Sequence, residues 1–237
     1  GYNAKGEFKI LYEKVENEKN NFKIQCFNQQ LSLSIPGKHE VLDAVAAIAL
    51  CCQLLNVCGM NHLDFIEKIK KGLINFTGGK RRTEKVGEIT TKNGNNVIII
   101  DDYAHHPTAV KTTLAGYREF YKTRKIVVDF MSHTYSRTKA LLEEFSKCFS
   151  DADELILHKI YSSARENPSD FDIDGKTLYE YVKKHFNNVY YFEEPLDSLP
   201  YLNDLFMHEL PAEYCDGYVF VTMGAGDNWK IGKELLK

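Results

Sequence analysis

The sequence predicts an α/β fold whose main part is a doubly wound, mainly parallel sheet, preceded by a smaller, partial α+β segment. Three observations carry this. Short, continuously apolar runs recur at 97–100, 126–128, 155–157, 189–192 and 218–221. Helical patterns fill the intervals, roughly 108–122, 138–149, 176–186, 197–209 and 228–236. Strands apolar on both faces and alternating with helices are the mark of a parallel sheet covered on two sides, a Rossmann-like arrangement. Before residue 80 the pattern differs. Phe8, Ile10 and Tyr12, then Phe22, Ile24 and Cys26, then Leu31, Leu33 and Ile35 alternate with polar residues. This predicts two or three antiparallel strands.

Pro36-Gly37 closes that strand region, and a helix is expected from about His39 through Leu50. It is apolar on nearly every face, which predicts burial inside a larger body. A second, amphipathic helix is expected over 61–73, with Leu63, Phe65, Ile66 and Ile69 along one side. Gly78-Gly79-Lys80-Arg81-Arg82 then forms a flexible, basic junction. The expected division is 1–79 and 80–237.

Composition excludes several classes. Thirty basic residues against 33 acidic ones leave a net charge of −3 in 237 residues, so no basic excess points to nucleic acid. The longest apolar run, 41–57, is interrupted by Asp43, Gln53 and Asn56, and no membrane partner is expected. The six cysteines have no C-x-x-C spacing, which predicts reduced thiols and a cytoplasmic location. The chain begins with Gly1 rather than Met, which suggests a piece of something longer.

Chemistry-bearing residues collect after the strands. Asp101-Asp102-Tyr103-Ala104-His105-His106-Pro107 follows the first run, Ser132-His133-Thr134-Tyr135-Ser136-Arg137 the second, Ser162-Ser163-Ala164-Arg165-Glu166 the third, and Gly224-Ala225-Gly226-Asp227 the last. In a parallel sheet these loops share one edge, where ligands bind. Asp101, Asp102, His105 and His106 admit two readings: ligands for a divalent cation, or a strand-end turn opening the next helix. A third reading places one Asp on ribose hydroxyls. His133 and Arg137 suit a carboxylate or phosphate, helped by free N–H groups at a helix start. Gly224 and Gly226 would let backbone amides approach an anion. No G-x-x-x-x-G-K-[ST] phosphate loop occurs in the chain.

These motifs, together with Pro36-Gly37-Lys38-His39, Gly78 to Arg82 and Ile160 to Glu166, resemble the Mur ligase family of peptidoglycan synthesis. The resemblance covers about Ile35 to the end. It implies that 1–79 is the tail of a central ATP-binding domain and 80–237 the C-terminal domain that brings the amino acid. It implies an ADP-forming ligase that joins L-alanine to UDP-N-acetylmuramate using ATP and Mg2+, held mainly by polypeptide outside this chain. The chain alone would then be inactive. Matched positions on the nucleotide side are His39, Glu40, Asp43, Arg82 and Asp102. On the amino-acid side they are Tyr103, His105, His133, Arg137, Gly224 and Gly226, with His105 as candidate base and no metal ligand. Three departures stand out: His39-Glu40-Val41-Leu42-Asp43 where the family writes His-Asn-x-x-Asn, Ser132 in place of proline, and Thr83 in place of phenylalanine. Two rival readings remain within enzymes: a Mur-type ligase for another amino acid, and a metal-dependent phosphoesterase built on Asp101, Asp102, His105, His106 and His133. A third is a non-catalytic module binding a nucleotide or amino acid for regulation.

Overall fold

The computed structural model describes residues 1–237, which divide into two compact units, Gly1–Gly78 and Gly79–Lys237.

In the first unit, β1 (Ile10–Val15), β2 (Asn20–Ile24) and β3 (Leu31–Leu33) form an antiparallel sheet in that order. Helix α1 (Lys38–Val57) packs on it through Val41, Val45, Ile48 and Cys52, which join Phe22, Ile24, Leu31 and Leu33 in one core. Each large side chain so buried contributes about 2–3 kcal/mol. Gly37 opens α1 at φ 110°, and a Cβ there would lie 2.5 Å from the His39 ring. The helix is apolar all round, as the sequence predicts, yet only one face is covered: Leu42, Leu50, Leu54 and Val57 are exposed. By length and composition α1 could cross a membrane, contrary to the expectation from the interrupted apolar run, although its buried face serves the unit's own core. The second predicted helix is split into a 3-10 turn (His62–Phe65) and α2 (Ile66–Ile74). Leu63 lies in the turn and is exposed, off the expected apolar side.

The second unit is a six-stranded sheet of β4 (Glu84–Thr90), β5 (Asn96–Asp102), β6 (Arg124–Met131), β7 (Glu154–Leu157), β8 (Val189–Tyr191) and β9 (Gly217–Gly224). The spatial order is β4-β5-β9-β6-β7-β8, parallel throughout except for β4. All five apolar runs of the sequence are strands. The sequence reading passed over β4, because an edge strand with only Val86 and Ile89 as aliphatics, bulged between Lys85 and Gly87, carries little periodic signal. Helices α3 (Pro107–Phe120), α4 (Tyr135–Ala140), α5 (Leu142–Ser146), α6 (Gly175–Val182) and α7 (Leu199–Leu205) connect the strands, and α8 (Trp229–Leu235) follows β9. The single helix expected over 138–149 is two short ones, broken at Leu141.

The central strands are fully buried. Each of the eight residues of β9 is covered on both faces, as a strand between two parallel neighbours demands. Gly224 ends β9 at φ 129°, where a Cβ would sit 2.3 Å from the Met131 carbonyl oxygen. Gly224→Ala is therefore expected to destabilise the unit by about 2–4 kcal/mol in urea unfolding, combining strain at positive φ with a backbone clash. Gly94→Ala, also at positive φ but with nothing within 4 Å, should cost only about 1–2 kcal/mol.

Candidate functional site at the carboxyl ends of the strands

Strands β5, β9, β6 and β7 run in the same direction, so the segments that follow them open at one edge of the sheet. A series of ring contacts joins these segments. Tyr103 meets His105 edge-on at 4.9 Å between centroids, His105 meets His133 edge-on at 6.1 Å, and His133 faces Tyr161 at 5.9 Å. Residues separated by up to 58 positions thus stand side by side at this edge. His133 is held from both sides, because Tyr161 donates its N–H to the Ser132 carbonyl and accepts from the Thr134 N–H.

The two carboxylates that end β5 are spent on the fold. Asp101 accepts from Arg81 Nε at 2.8 Å and from Thr222 Oγ1 at 2.9 Å. Burial pushes its carboxyl up, against the pull of the Arg81 guanidinium. Asp102 accepts from the N–H groups of Thr83 and Ala104, each at 2.8 Å, and the buried Tyr117 hydroxyl lies 3.4 Å away. Burial, and then the Asp102 charge, hold Tyr117 well above the ordinary phenol value. No three His, Cys, Asp or Glu side chains are grouped to hold a metal ion. The metal-cluster reading of Asp101, Asp102, His105 and His106 therefore has no geometric support. Of the strand-end reading, the helix opening holds with a different cap: His106, not an Asp, accepts from the Thr108 N–H, and Pro107 starts α3.

His105 Nδ1 lies 2.8 Å from the Tyr103 carbonyl oxygen. A carbonyl only accepts, so Nδ1 carries the proton and the lone pair of the neutral ring is on Nε2. His133 is shifted down by burial, then by the Arg137 cation and His105, with Glu166 opposing. Three buried atoms here find no partner within the protein: Ser132 Oγ, His133 Nδ1 and Arg137 Nη1.

The helix start beyond His133 does not present free N–H groups as expected. Thr134 Oγ1 accepts from the Arg137 N–H, and the Glu166 carboxylate accepts from the Tyr135 and Ser136 N–H groups and the Ser136 hydroxyl. Gly224 and Gly226 have a packing reason: a Cβ at Gly226 would lie 2.5 Å from Met131 Sδ. Arg81, given no role from sequence, ties the site together, since its Nη2 also donates to the Gly224 carbonyl at 2.9 Å. Its positive φ of 56° could not be read from sequence. Arg82 is exposed, its guanidinium 5.7 Å from the Tyr103 ring centroid. In the first unit, Asp43 is exposed, and His39 Nε2 lies 3.7 Å from Glu40 Oε1.

The site is thus a Rossmann-like sheet whose carboxyl edge gathers imidazole and guanidinium groups. The chain belongs to the Mur ligase family: residues 81–226 match the pattern described as "Mur ligase, glutamate ligase domain". It is 41% identical over 237 residues to UDP-N-acetylmuramate--L-alanine ligase of Treponema pallidum (strain Nichols), covering 100% of this chain and 46% of that protein. It is 41% identical over 191 residues to the protein of that name from Borreliella burgdorferi, covering 81% and 38%. The chain spans about half the length of the curated relatives it matches. Among solved structures, UDP-N-acetylmuramate-alanine ligase MurC from Thermotoga maritima shares the fold, with TM-score 0.69, 22% identity, and coverage of 96% and 44%.

Neutral His133 is favoured in the folded protein, so this residue's contribution to stability is present above its unfolded value of about 6.5 and is lost as pH falls through the lower folded value. Titration of the His133 ring by NMR should show that depressed midpoint, and Arg137→Ala should raise it toward the ordinary value. An unchanged midpoint would mean that Arg137 does not face the imidazole.

Proposed function

We propose that this chain is the amino-acid-side domain and the adjoining tail of the ATP-binding domain of a UDP-N-acetylmuramate–L-alanine ligase. The observation that carries it is the convergence of Tyr103, His105, His133 and Arg137 on one edge, with Arg137 Nη1 buried and unpartnered. A buried guanidinium N–H without an acceptor costs free energy that a carboxylate ligand recovers, and the L-alanine carboxylate matches its fork. The Treponema pallidum relative, alike over the whole chain, supports this substrate.

The reaction is ATP-dependent amide formation. A carboxylate oxygen of the sugar attacks the γ-phosphorus, the bond to the β–γ bridging oxygen breaks, and an acyl phosphate and ADP result. The alanine amine then attacks the acyl carbon, and inorganic phosphate leaves. The amine is nucleophilic only without its extra proton, and His105 Nε2 is the acceptor that removes it. Arg82, stacked near Tyr103, serves the nucleotide, while Asp102 acts through the Thr83 turn that it anchors. His39, Glu40 and Asp43 form the nucleotide side of the first unit. Mg2+ offsets triphosphate charge and is bound chiefly by the triphosphate and by polypeptide beyond these residues, since the carboxylates here are engaged within the fold. The location is cytoplasmic, where ATP is available, and six unpaired cysteines agree with reducing surroundings.

In the full-length ligase, Arg137→Ala should raise KM for L-alanine about 10- to 100-fold, with KM for ATP little changed. His105→Ala should lower kcat about 10²- to 10⁴-fold. Steady-state kinetics decide both, and an unaffected alanine KM in the Arg137 variant overturns the assignment. A panel of amino acids tests the rival reading: turnover fastest with another amino acid would make this a ligase of different specificity.

A further inference from the structure

Beneath the pocket lies a buried polar cluster that the proposed reaction does not use. Asp129 and Asn228 are wholly buried, and His158 is 1% exposed. His158 Nε2 lies 2.8 Å from Asp129 Oδ2, and Nδ1 lies 2.9 Å from the Phe192 carbonyl oxygen. Both neighbours of the ring are acceptors, so each nitrogen must carry a proton for neither contact to be repulsive. Asn228 Nδ2 donates to Asp129 Oδ1 at 2.8 Å, to the Asp129 carbonyl at 3.0 Å and to the Met223 carbonyl at 3.2 Å. Reversing the amide would set its oxygen against three acceptors, which fixes its orientation.

The cluster reaches four elements. Asp129 is in β6, His158 follows β7, Phe192 follows β8, and Met223 is the penultimate residue of β9. Three of these adjoin a segment of the site: Asp129 lies before Ser132 and His133, His158 before Tyr161, and Met223 before Gly224. We infer that Asp129, His158 and Asn228 are positioning residues of the pocket, a buried imidazolium–carboxylate pair that sets the spacing of the loops carrying His133, Tyr161 and Gly224. The inference holds whichever amino acid the pocket takes.

The groups facing the ring agree. Burial opposes the charged ring, but the charge and hydrogen bond of Asp129, the Phe192 carbonyl and the more distant Asp227 outweigh it, and His158 is raised above its ordinary value. Asp129 comes from β6 and Asp227 from the turn before α8. The end of β8 brings only the carbonyl, and α6 lays Gly175 on the His158 backbone oxygen. A His so raised stabilises the folded state fully below about pH 6.5, and that contribution is lost as pH rises through the folded value.

The test is NMR on the 237-residue chain. At a pH just above the ordinary histidine value of ~6.5, both His158 ring nitrogens should still be protonated. As pH rises further, the amides of His133, Tyr161 and Gly224 should shift with the His158 midpoint, while Gly94, in the distant β4–β5 hairpin, should not follow it. In the near-isosteric Asp129→Asn the His158 midpoint should fall by about one to three pH units, taking the amide midpoints with it. A ring nitrogen without its proton at the first pH, or pocket amides blind to the His158 titration, would overturn the inference. Should Asp129→Asn fail to fold, the unsubstituted chain alone decides the question.

Discussion

The parallel register of β5, β9, β6 and β7 is the constraint on which the second unit depends. Once four strands run the same way, every following segment emerges at one edge and every preceding one at the other. Pocket chemistry then needs no long-range design beyond placing polar residues after strands. The cost is a core buried on both faces, which explains why Val97 to Ile100, Ile126 to Val128 and Val219 to Val221 contain no polar side chain.

Holding that edge together falls to a small set of charged groups. Arg81 links Asp101 of β5 to the carbonyl of Gly224 at the end of β9, and Asp102 pins the Thr83 turn and Ala104. On the other side, Asn228 and the Asp129–His158 pair join β9 to β6 and to the segments after β7 and β8. Such buried ionic groups add little net stability compared with hydrophobic residues, but they tolerate only one arrangement of partners. Here that arrangement fixes where the loops begin.

The pocket residues lie on top of this frame with bonds left to make. His105 is oriented by the Tyr103 carbonyl so that one nitrogen remains basic, and burial beside Arg137 keeps His133 neutral. Glu166 occupies the Tyr135 and Ser136 N–H groups at the start of α4, so that helix end is not open to a ligand, whereas Arg137 Nη1 is buried without a partner.

Much of this was legible in residue order. Apolar runs of three or four residues alternating with helical stretches suit a sheet flanked by helices, so the five parallel strands, four inner and β8 at the edge, and the edge shared by their loops were legible in the pattern. So were the antiparallel strands of the first unit. Other features depend on groups distant in the chain. Asp101 and Asp102 read as possible metal ligands until their donors, Arg81, Thr83, Ala104 and Thr222, were brought beside them. Gly224 and Gly226 also have a packing reason that residue order did not show, because Met131 lies against both. Local pattern determines which element a segment becomes, because periodicity and turn chemistry act over a few residues. Which lone pairs and N–H groups remain open to a ligand is decided only in the folded state, because each is occupied or left free by a partner up to 143 positions away.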